Sequence, residues 1–73
     1  MQRRTGFLYR RLAKGLAHFR GEESQNRFVR KLGISNASLN RIENQRQNVS
    51  LDTLEKLCLH LNCDIGDLFP LDE

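Results

Sequence analysis

One glycine, Gly33, stands between two short helical patterns and constrains the fold more than any other residue. The apolar residues on either side of it recur at the spacing of a buried helix face: Phe28, Val29, Leu32, Leu39 and Ile42. The first helix is expected to end at Gly33, because glycine adopts left-handed backbone angles without a steric penalty. Only Ile34 separates Gly33 from Ser35, which caps the next helix. The two helices therefore cannot fold back antiparallel and must cross steeply.

Two serines predict where these helices begin. Ser24 and Ser35 each precede a helical pattern, where a hydroxyl oxygen can accept a hydrogen bond from a free backbone N–H. Neither serine is followed three residues later by Glu or Gln, so both are expected to act as simple N-caps rather than as capping boxes. Two short helices that cross steeply around a glycine turn form a helix-turn-helix.

The remaining apolar residues predict three more helices. A first helix is predicted over residues 7–19, a fourth after Ser50 and a short fifth after Asp64. The residues expected to face the core of these helices are Leu8, Leu12, Leu16, Phe19, Leu51, Leu54, Leu57, Cys58, Leu61, Ile65, Leu68 and Phe69. The sequence thus predicts an all-α, compact five-helix domain over residues 1–73, in which residues 1–5 form a flexible basic arm.

Three residues are expected to weaken or end the predicted helices. Gly15 lies inside the first helix and costs about 1 kcal/mol relative to Ala there. Asn62 is expected to end the fourth helix in the left-handed conformation. Pro70 prevents the fifth helix from continuing, because proline lacks the backbone N–H that a helix interior requires.

The net charge of +3 hides an uneven distribution of charge along the chain. Residues 1–46 hold eleven Lys and Arg against three acidic residues, whereas residues 47–73 hold one Lys against six acidic residues. A chain with this polarity suits an anionic partner at one end. A basic face can also be merely solvated, but here the basic half contains the helix-turn-helix, which favours binding to nucleic acid.

The two-helix stretch resembles the helix-turn-helix of Cro and phage-repressor regulators, the XRE family. The resemblance is carried by Ser24, Gln25, Gly33, Leu39, Ile42, Glu43 and Asn44, and further on by Ser50-Leu51-Asp52-Thr53-Leu54 and Asp64-Ile65-Gly66-Asp67-Leu68. It covers about residues 8–69. The resemblance implies a repressor-like fold and sequence-specific binding of double-stranded DNA.

The second helix of the motif, residues 36–44, has a polar outer face opposite Leu39 and Ile42. The residues expected to face outward and contact bases are Asn36, Ala37, Asn40 and Arg41. In the major groove Asn can pair with adenine, Arg can pair with guanine, and Ala can contact the thymine methyl group. Asn and Ser are ordinary surface residues, so a solvated face is the alternative. The helix-turn-helix context favours the DNA-reading interpretation.

The resemblance also implies roles for single residues. Gln25 resembles the glutamine that binds phosphate and braces the reading helix, and Asn40 can contact either a base or the backbone. The expected phosphate contacts are Gln25, Ser38, Asn44, Arg46 and Gln47. Glu43 is expected to pair with a basic residue of the first helix. Arg3 and Arg4 can reach a neighbouring minor groove, with a disordered tail as the alternative.

A domain of this size contacts few base pairs, so useful specificity predicts a homodimer on an inverted repeat. Half-sites would lie one helical turn, roughly 34 Å, apart. The candidate dimer contact is the acidic, apolar C-terminal end, Leu68, Phe69 and Leu71, although Leu68 and Phe69 can instead complete the monomer core. The predicted function is a DNA-binding transcriptional repressor. The alternative is an antitoxin or another protein-interaction module of a toxin–antitoxin or phage regulatory system.

Cofactors, catalysis and membrane insertion find little support in the sequence. Cys58 and Cys63 are too few for a disulfide framework and predict a reduced, cytoplasmic setting. Their spacing with His60 and His18 matches no familiar zinc pattern, so they are interpreted as core thiols, and no metal or cofactor is expected. The sequence contains no recognisable nucleophile pairing or glycine-rich phosphate loop, so no enzymatic activity is expected. No apolar run approaches the roughly 18 residues of a membrane span.

Overall fold

The computed structural model describes residues 6–44 and 49–71, which form five α-helices. They are α1 (Phe7–Arg20), α2 (Gln25–Leu32), α3 (Asn36–Glu43), α4 (Leu51–Leu61) and α5 (Ile65–Leu68). Neither described range contains a strand, and the predicted all-α, five-helix architecture is confirmed. None of the helices in these two ranges is long and apolar enough to cross a membrane.

Side chains at the helix ends satisfy backbone groups as the sequence predicted. The Oγ atoms of Ser24, Ser35 and Ser50 accept hydrogen bonds from backbone N–H groups three residues later, at 3.2, 3.0 and 3.1 Å. At the start of α5 the Asp64 N–H donates to the Asp67 carboxylate at 3.0 Å. Asn62 ends α4 in the left-handed conformation, with φ of 53°. Helix starts and stops are therefore determined by local side chains.

The turn between α2 and α3 is built around Gly33. This residue has φ of 75° and ψ of 27°, and its N–H donates to the Val29 carbonyl oxygen at 2.8 Å. The Ile34 N–H reaches the same oxygen at 3.3 Å, and the Ile34 side chain packs half-buried against the core. The glycine turn places α3 against both α1 and α2. The predicted helix-turn-helix is confirmed.

One apolar core joins all five helices. The buried side chains are Leu12, Leu16, Phe28, Val29, Leu32, Leu39, Ile42, Leu57 and Leu68. Helix α1 packs on α3 and α5, while α2 packs on α3 and α4. Full burial of a large apolar side chain contributes about 1.5–3 kcal/mol, so this core holds α3 in a set orientation.

The burial of Leu68 decides between its two interpretations, and three other apolar residues lie outside the predicted core. Leu68 is 0% exposed because α5 packs it against α1 and α4, so its assignment to a dimer contact is wrong and it completes the monomer core. Leu51, Leu8 and Ile65, which were expected in the core, are 81%, 50% and 46% exposed, and each lies in the first turn of its helix. Phe69 is half-buried against the core, and Leu71 is 72% exposed.

The close approach of α5 explains why α1 carries a glycine, Gly15, in its interior. This residue is buried, and a Cβ added to it would clash with the backbone carbonyl oxygen of Leu68. The absence of a side chain lets α5 lie directly on α1. The loss of helix propensity at Gly15 is therefore offset by close packing between the two helices.

Candidate nucleic-acid interface

The outward surface of α3 is polar and continuous. Its exposed residues are Asn36, Ala37, Asn40 and Arg41, with Asn44 exposed at the C-cap. Residues four apart lie above one another on a helix, so these side chains form one face. Leu39 and Ile42, 0% and 2% exposed, hold the opposite face in the core. The structure thus brings together on one surface the four residues expected to contact bases.

Two side-chain hydrogen bonds tie the first turn of α2 to this face. The Gln25 Nε2 donates to the Asn40 Oδ1 at 3.0 Å, which is the brace that the family resemblance implied. The Asn36 Nδ2 donates to the Asn26 Oδ1 at 3.3 Å. Asn26 was not singled out in the sequence, although its position next to Gln25 places it on the same turn. The two ties fix both outward asparagines relative to α2.

Glu43 is neutralised at the end of α3. Its Oε2 lies 3.3 Å from the Arg20 Nη1, while the Arg20 Nε donates to the Glu23 carbonyl oxygen at 3.0 Å. The expected pairing of Glu43 with a basic residue of α1 is confirmed, and Arg20 is the partner. This ion pair offsets a negative charge that would otherwise lie beside the outward face of α3.

The other expected phosphate contacts fall into two groups. Ser38 is half-buried in the first turn of α3, where its Oγ accepts a hydrogen bond from the Ser35 Oγ at 3.1 Å. Asn44 is exposed at the C-terminal end of α3. Arg46 and Gln47 lie outside the described residues, as does the proposed arm with Arg3 and Arg4.

The charge asymmetry of the sequence is also an asymmetry of the surface. Helix α2 exposes basic side chains at Arg27, Arg30 and Lys31. Helices α4 and α5, with the Asp64 cap between them, expose acidic side chains at Asp52, Glu55, Asp64 and Asp67. Lys31 lies 3.8 Å from Glu23, a separation at which an exposed pair neutralises its charges only weakly. Exposed basic side chains thus lie on both helices of the motif, on α2 and at Arg41 of α3, and also on α1 at Arg10 and Lys14.

His60 contributes to the turn, a role that sequence reasoning missed. The His60 Nδ1–H donates to the Leu32 carbonyl oxygen at 2.6 Å, across 28 positions of the chain. No spacing rule signals a contact between residues so far apart in sequence. The imidazole is therefore part of the support beneath the motif. Within the two described ranges, no group of three or more His, Cys, Asp or Glu side chains is arranged to hold a metal ion.

The two cysteines are half-buried free thiols at the end of α4. Burial, and then the neighbouring Cys58, raises the pKa of the Cys63 thiol from 9.0 to about 11. The Cys63 N–H also donates to the Cys58 carbonyl oxygen at 3.0 Å. Both thiols pack against the core, which agrees with their interpretation as structural residues.

Comparison with known proteins places this geometry among DNA-binding domains. The family model described as "Cro/C1-type HTH DNA-binding domain" matches residues 11–73. The fold is similar to the crystal structure of the hypothetical transcription factor NHTF from Neisseria, with a TM-score of 0.74 and 26% sequence identity. That alignment covers 86% of this chain and 75% of the Neisseria chain. No curated protein matches the chain.

Proposed function

This chain belongs to the Cro/C1-type helix-turn-helix DNA-binding domain family, and on that basis we propose that it is a transcriptional regulator that represses by binding an inverted-repeat operator as a dimer. The observation that carries the proposal is the exposed polar face of α3, backed by a buried apolar face. Such a helix can enter the major groove while its other side remains packed on the domain.

Base contacts are assigned to four residues of this face. Arg41 offers a guanidinium for the N7 and O6 acceptors of guanine, and Asn36 and Asn40 offer amides for adenine or its neighbours. Ala37 presents a methyl group small enough for α3 to approach a thymine methyl closely. Each well-formed bidentate pair contributes about 1–3 kcal/mol of discrimination between bases.

Phosphate contacts are assigned to polar groups around that face. These groups are Gln25, Ser38, Asn44, Arg46 and Gln47. Gln25 suits the role because one N–H of its amide is used in the bond to Asn40, which leaves a second N–H for a phosphate oxygen. Backbone N–H groups in the first turns of α2 and α3 add weaker anion contacts.

Dimerisation is part of the proposal because one α3 helix spans few base pairs. With Leu68 buried, the C-terminal candidates are exposed Leu71 and half-buried Phe69. The acidic character of α4 and α5 keeps this end away from DNA, which suits a protein–protein contact. The similarity to a Neisseria protein described as a hypothetical transcription factor supports regulation of transcription as the outcome of binding.

Selection of bound sequences from random duplex DNA tests the proposal. We expect enrichment of a palindrome whose half-sites are separated by one helical turn, roughly 34 Å. Affinity for the enriched site should fall steeply with salt, because bound Lys and Arg release condensed counterions. Failure to enrich any sequence would contradict DNA reading, and an asymmetric single site would contradict the dimer. A protein-interaction module would instead bind its partner with weak salt dependence.

A further inference from the structure

Cys58 and Cys63 lie where the chain turns back on the C-terminal end of α4. Asn62 ends the helix with φ of 53° and ψ of 51°. The Cys63 N–H donates to the Cys58 carbonyl oxygen at 3.0 Å, and the Asn62 N–H donates to the Leu59 carbonyl oxygen at 3.3 Å. These two bonds form a Schellman motif, in which the side chains of the residues joined by the longer-range bond frequently contact each other. In this chain both of those residues are cysteines.

The two thiols also border the same groove. Each is half-buried against the core, and both line a groove at the junction of α4 and α5 that is open to solvent. Cys58 lies near enough to raise the pKa of the Cys63 thiol in addition to the effect of burial. A disulfide requires Cα atoms about 4.4–6.8 Å apart. The direct backbone hydrogen bond between the two cysteines provides an approach of this kind.

We propose that Cys58 and Cys63 are a site of reversible oxidation, at which a small-molecule disulfide converts the two thiols into an intramolecular disulfide. The Cys58 thiolate attacks the small disulfide, forms a mixed disulfide and releases one small thiolate, which takes up a proton. The Cys63 sulfur loses its proton, attacks the Cys58 sulfur and releases the second small thiol. Two protein thiols are thereby oxidised to one disulfide, while one small disulfide is reduced to two thiols. Under reducing conditions the pair remains two packed thiols.

The surroundings of Cys63 favour a neutral product. Burial, with smaller effects from Cys58, Asp67 and Asp64, raises the pKa of the Cys63 thiol to about 11. Cys63 is therefore protonated near neutral pH, and Cys58 is the thiol that attacks first. A bound metal ion would require both sulfurs as thiolates, whereas a disulfide carries no charge and tolerates burial beside carboxylates. Residues 6–44 and 49–71 also contain no group of three or more potential metal ligands.

The disulfide would act on the junction between α4 and α5. Four residues separate the two cysteines in the chain. A cross-link restricts the unfolded chain more than a folded chain that already holds the two sulfurs together, so the oxidised form should be the more stable one. The groove includes no residue of α3. Oxidation at this site is therefore independent of DNA reading by α3, and either property can be absent without the other.

Equilibration of the full chain with mixtures of reduced and oxidised glutathione tests the proposal. After an alkylating reagent has trapped the remaining thiols, mass spectrometry counts them. As the share of oxidised glutathione rises, we expect the dithiol form to be replaced by a form that has lost two hydrogen atoms. This form should carry no glutathione and should not be linked to a second chain. Cys58→Ser and Cys63→Ser, which each leave one thiol, should instead retain one glutathione.

The same titration in concentrated urea isolates the contribution of the fold. Because the end of α4 holds the two sulfurs together, the folded chain should form the disulfide at about ten-fold less oxidised glutathione than the unfolded chain, at the same concentration of reduced glutathione. Equal requirements in the folded and unfolded chains would overturn the proposal. A final product with glutathione on either cysteine, or with a bond between two chains, would overturn it as well.

Discussion

The imidazole of His60 on α4 closes the C-terminal end of α2 by donating from Nδ1 to the Leu32 carbonyl oxygen at 2.6 Å. That carbonyl belongs to the last turn of α2, where backbone acceptors have no partner within the helix. The same ring lies against the turn, because a Cβ placed on Gly33 would meet the His60 Cε1 at 2.5 Å. Gly33 is therefore required for its backbone angles and for the space that His60 occupies.

We expect Gly33→Ala to lower the free energy of unfolding by more than the about 1–2 kcal/mol that left-handed angles cost an L-residue. The additional loss comes from displacement of the His60 ring. Urea denaturation of Gly33→Ala, His60→Ala and the double variant measures this contact. The double variant should lose less stability than the sum of the single variants, because removal of the imidazole opens space for the new methyl group. Additive losses would show that the ring does not restrict Gly33.

Substitution of two helix glycines by alanine should change the stability of the protein in opposite directions. Gly15→Ala is expected to destabilise the protein, because its Cβ would clash with the Leu68 carbonyl and force α5 away from α1. Gly66 in α5 has nothing within 4 Å of its added Cβ. Gly66→Ala should therefore stabilise the protein by about 0.5–1 kcal/mol through helix propensity. Thermal or urea unfolding measures the stability of each variant relative to the unsubstituted protein. Stabilisation by Gly15→Ala would contradict the close packing of α1 and α5.

Removal of one positive charge should change base preference only when the charge lies on the proposed DNA-binding face of α3. Arg41→Ala is expected to cost about 1–3 kcal/mol of binding and to relax preference at one base position. Lys56→Ala removes the same charge from the exposed surface of α4, among acidic residues, and should leave base preference unchanged. Randomised-site binding at fixed salt compares the two variants. An unchanged preference in Arg41→Ala would reject its assignment to a base.

The pair formed by Arg20 and Glu43 should affect DNA affinity more than stability. Their side chains are 30% and 25% exposed, and ion pairs that remain in partial contact with water usually contribute only about 1 kcal/mol or less to folding. Arg20→Ala should weaken DNA binding, because it leaves the Glu43 carboxylate unpaired beside the phosphates. Addition of Glu43→Gln to that variant should restore much of the lost affinity. Affinities that remain low in the double variant would show instead that Arg20 contacts DNA itself.

The Cys63 thiol should make stability depend on pH at the alkaline end. Its pKa is raised from 9.0 to about 11 in the folded protein, so above pH 9 the unfolded chain releases this proton first. The contribution of Cys63 to the free energy of unfolding should therefore be present below pH 9 and lost as pH rises through 11. The quantity to measure is the difference in stability between the unsubstituted protein and Cys63→Ala from pH 8 to roughly 11. A difference that does not change with pH would contradict the shift.

Local signals anticipated much of the fold. Ser24, Ser35 and Ser50 each cap a helix through a backbone N–H three residues away, and Gly33 and Asn62 end helices by adopting positive φ. These effects act over a few residues, so a spacing rule can detect them. The placement of Leu51 was wrong for the same reason, because helical spacing alone does not tell which end of an apolar stripe extends past its neighbours.

The sequence predicted the outward residues of the candidate DNA-binding site, but their contacts with other helices depend on tertiary packing. The outward residues of α3 follow from the positions of Leu39 and Ile42, since a helix that buries two residues must expose those on its other side. The identity of Arg20 as the partner of Glu43 depends on how α1 crosses α3, over 23 positions of the chain. The contacts of Gln25 with Asn40 and of Asn26 with Asn36 likewise depend on where α2 meets α3.

By itself, the sequence determined the number of helices, their caps, the glycine turn and the outward face of α3, because each depends on backbone preferences and periodicity within one or two turns. Only the tertiary structure decided that His60 hydrogen-bonds to the end of α2 and that Leu68 is buried in the core. It also decided that α5 packs against Gly15 and that Asn26 hydrogen-bonds to Asn36. Those relationships join residues brought together by the burial of a shared core. They depend on the angles and distances between helices, which no local pattern encodes.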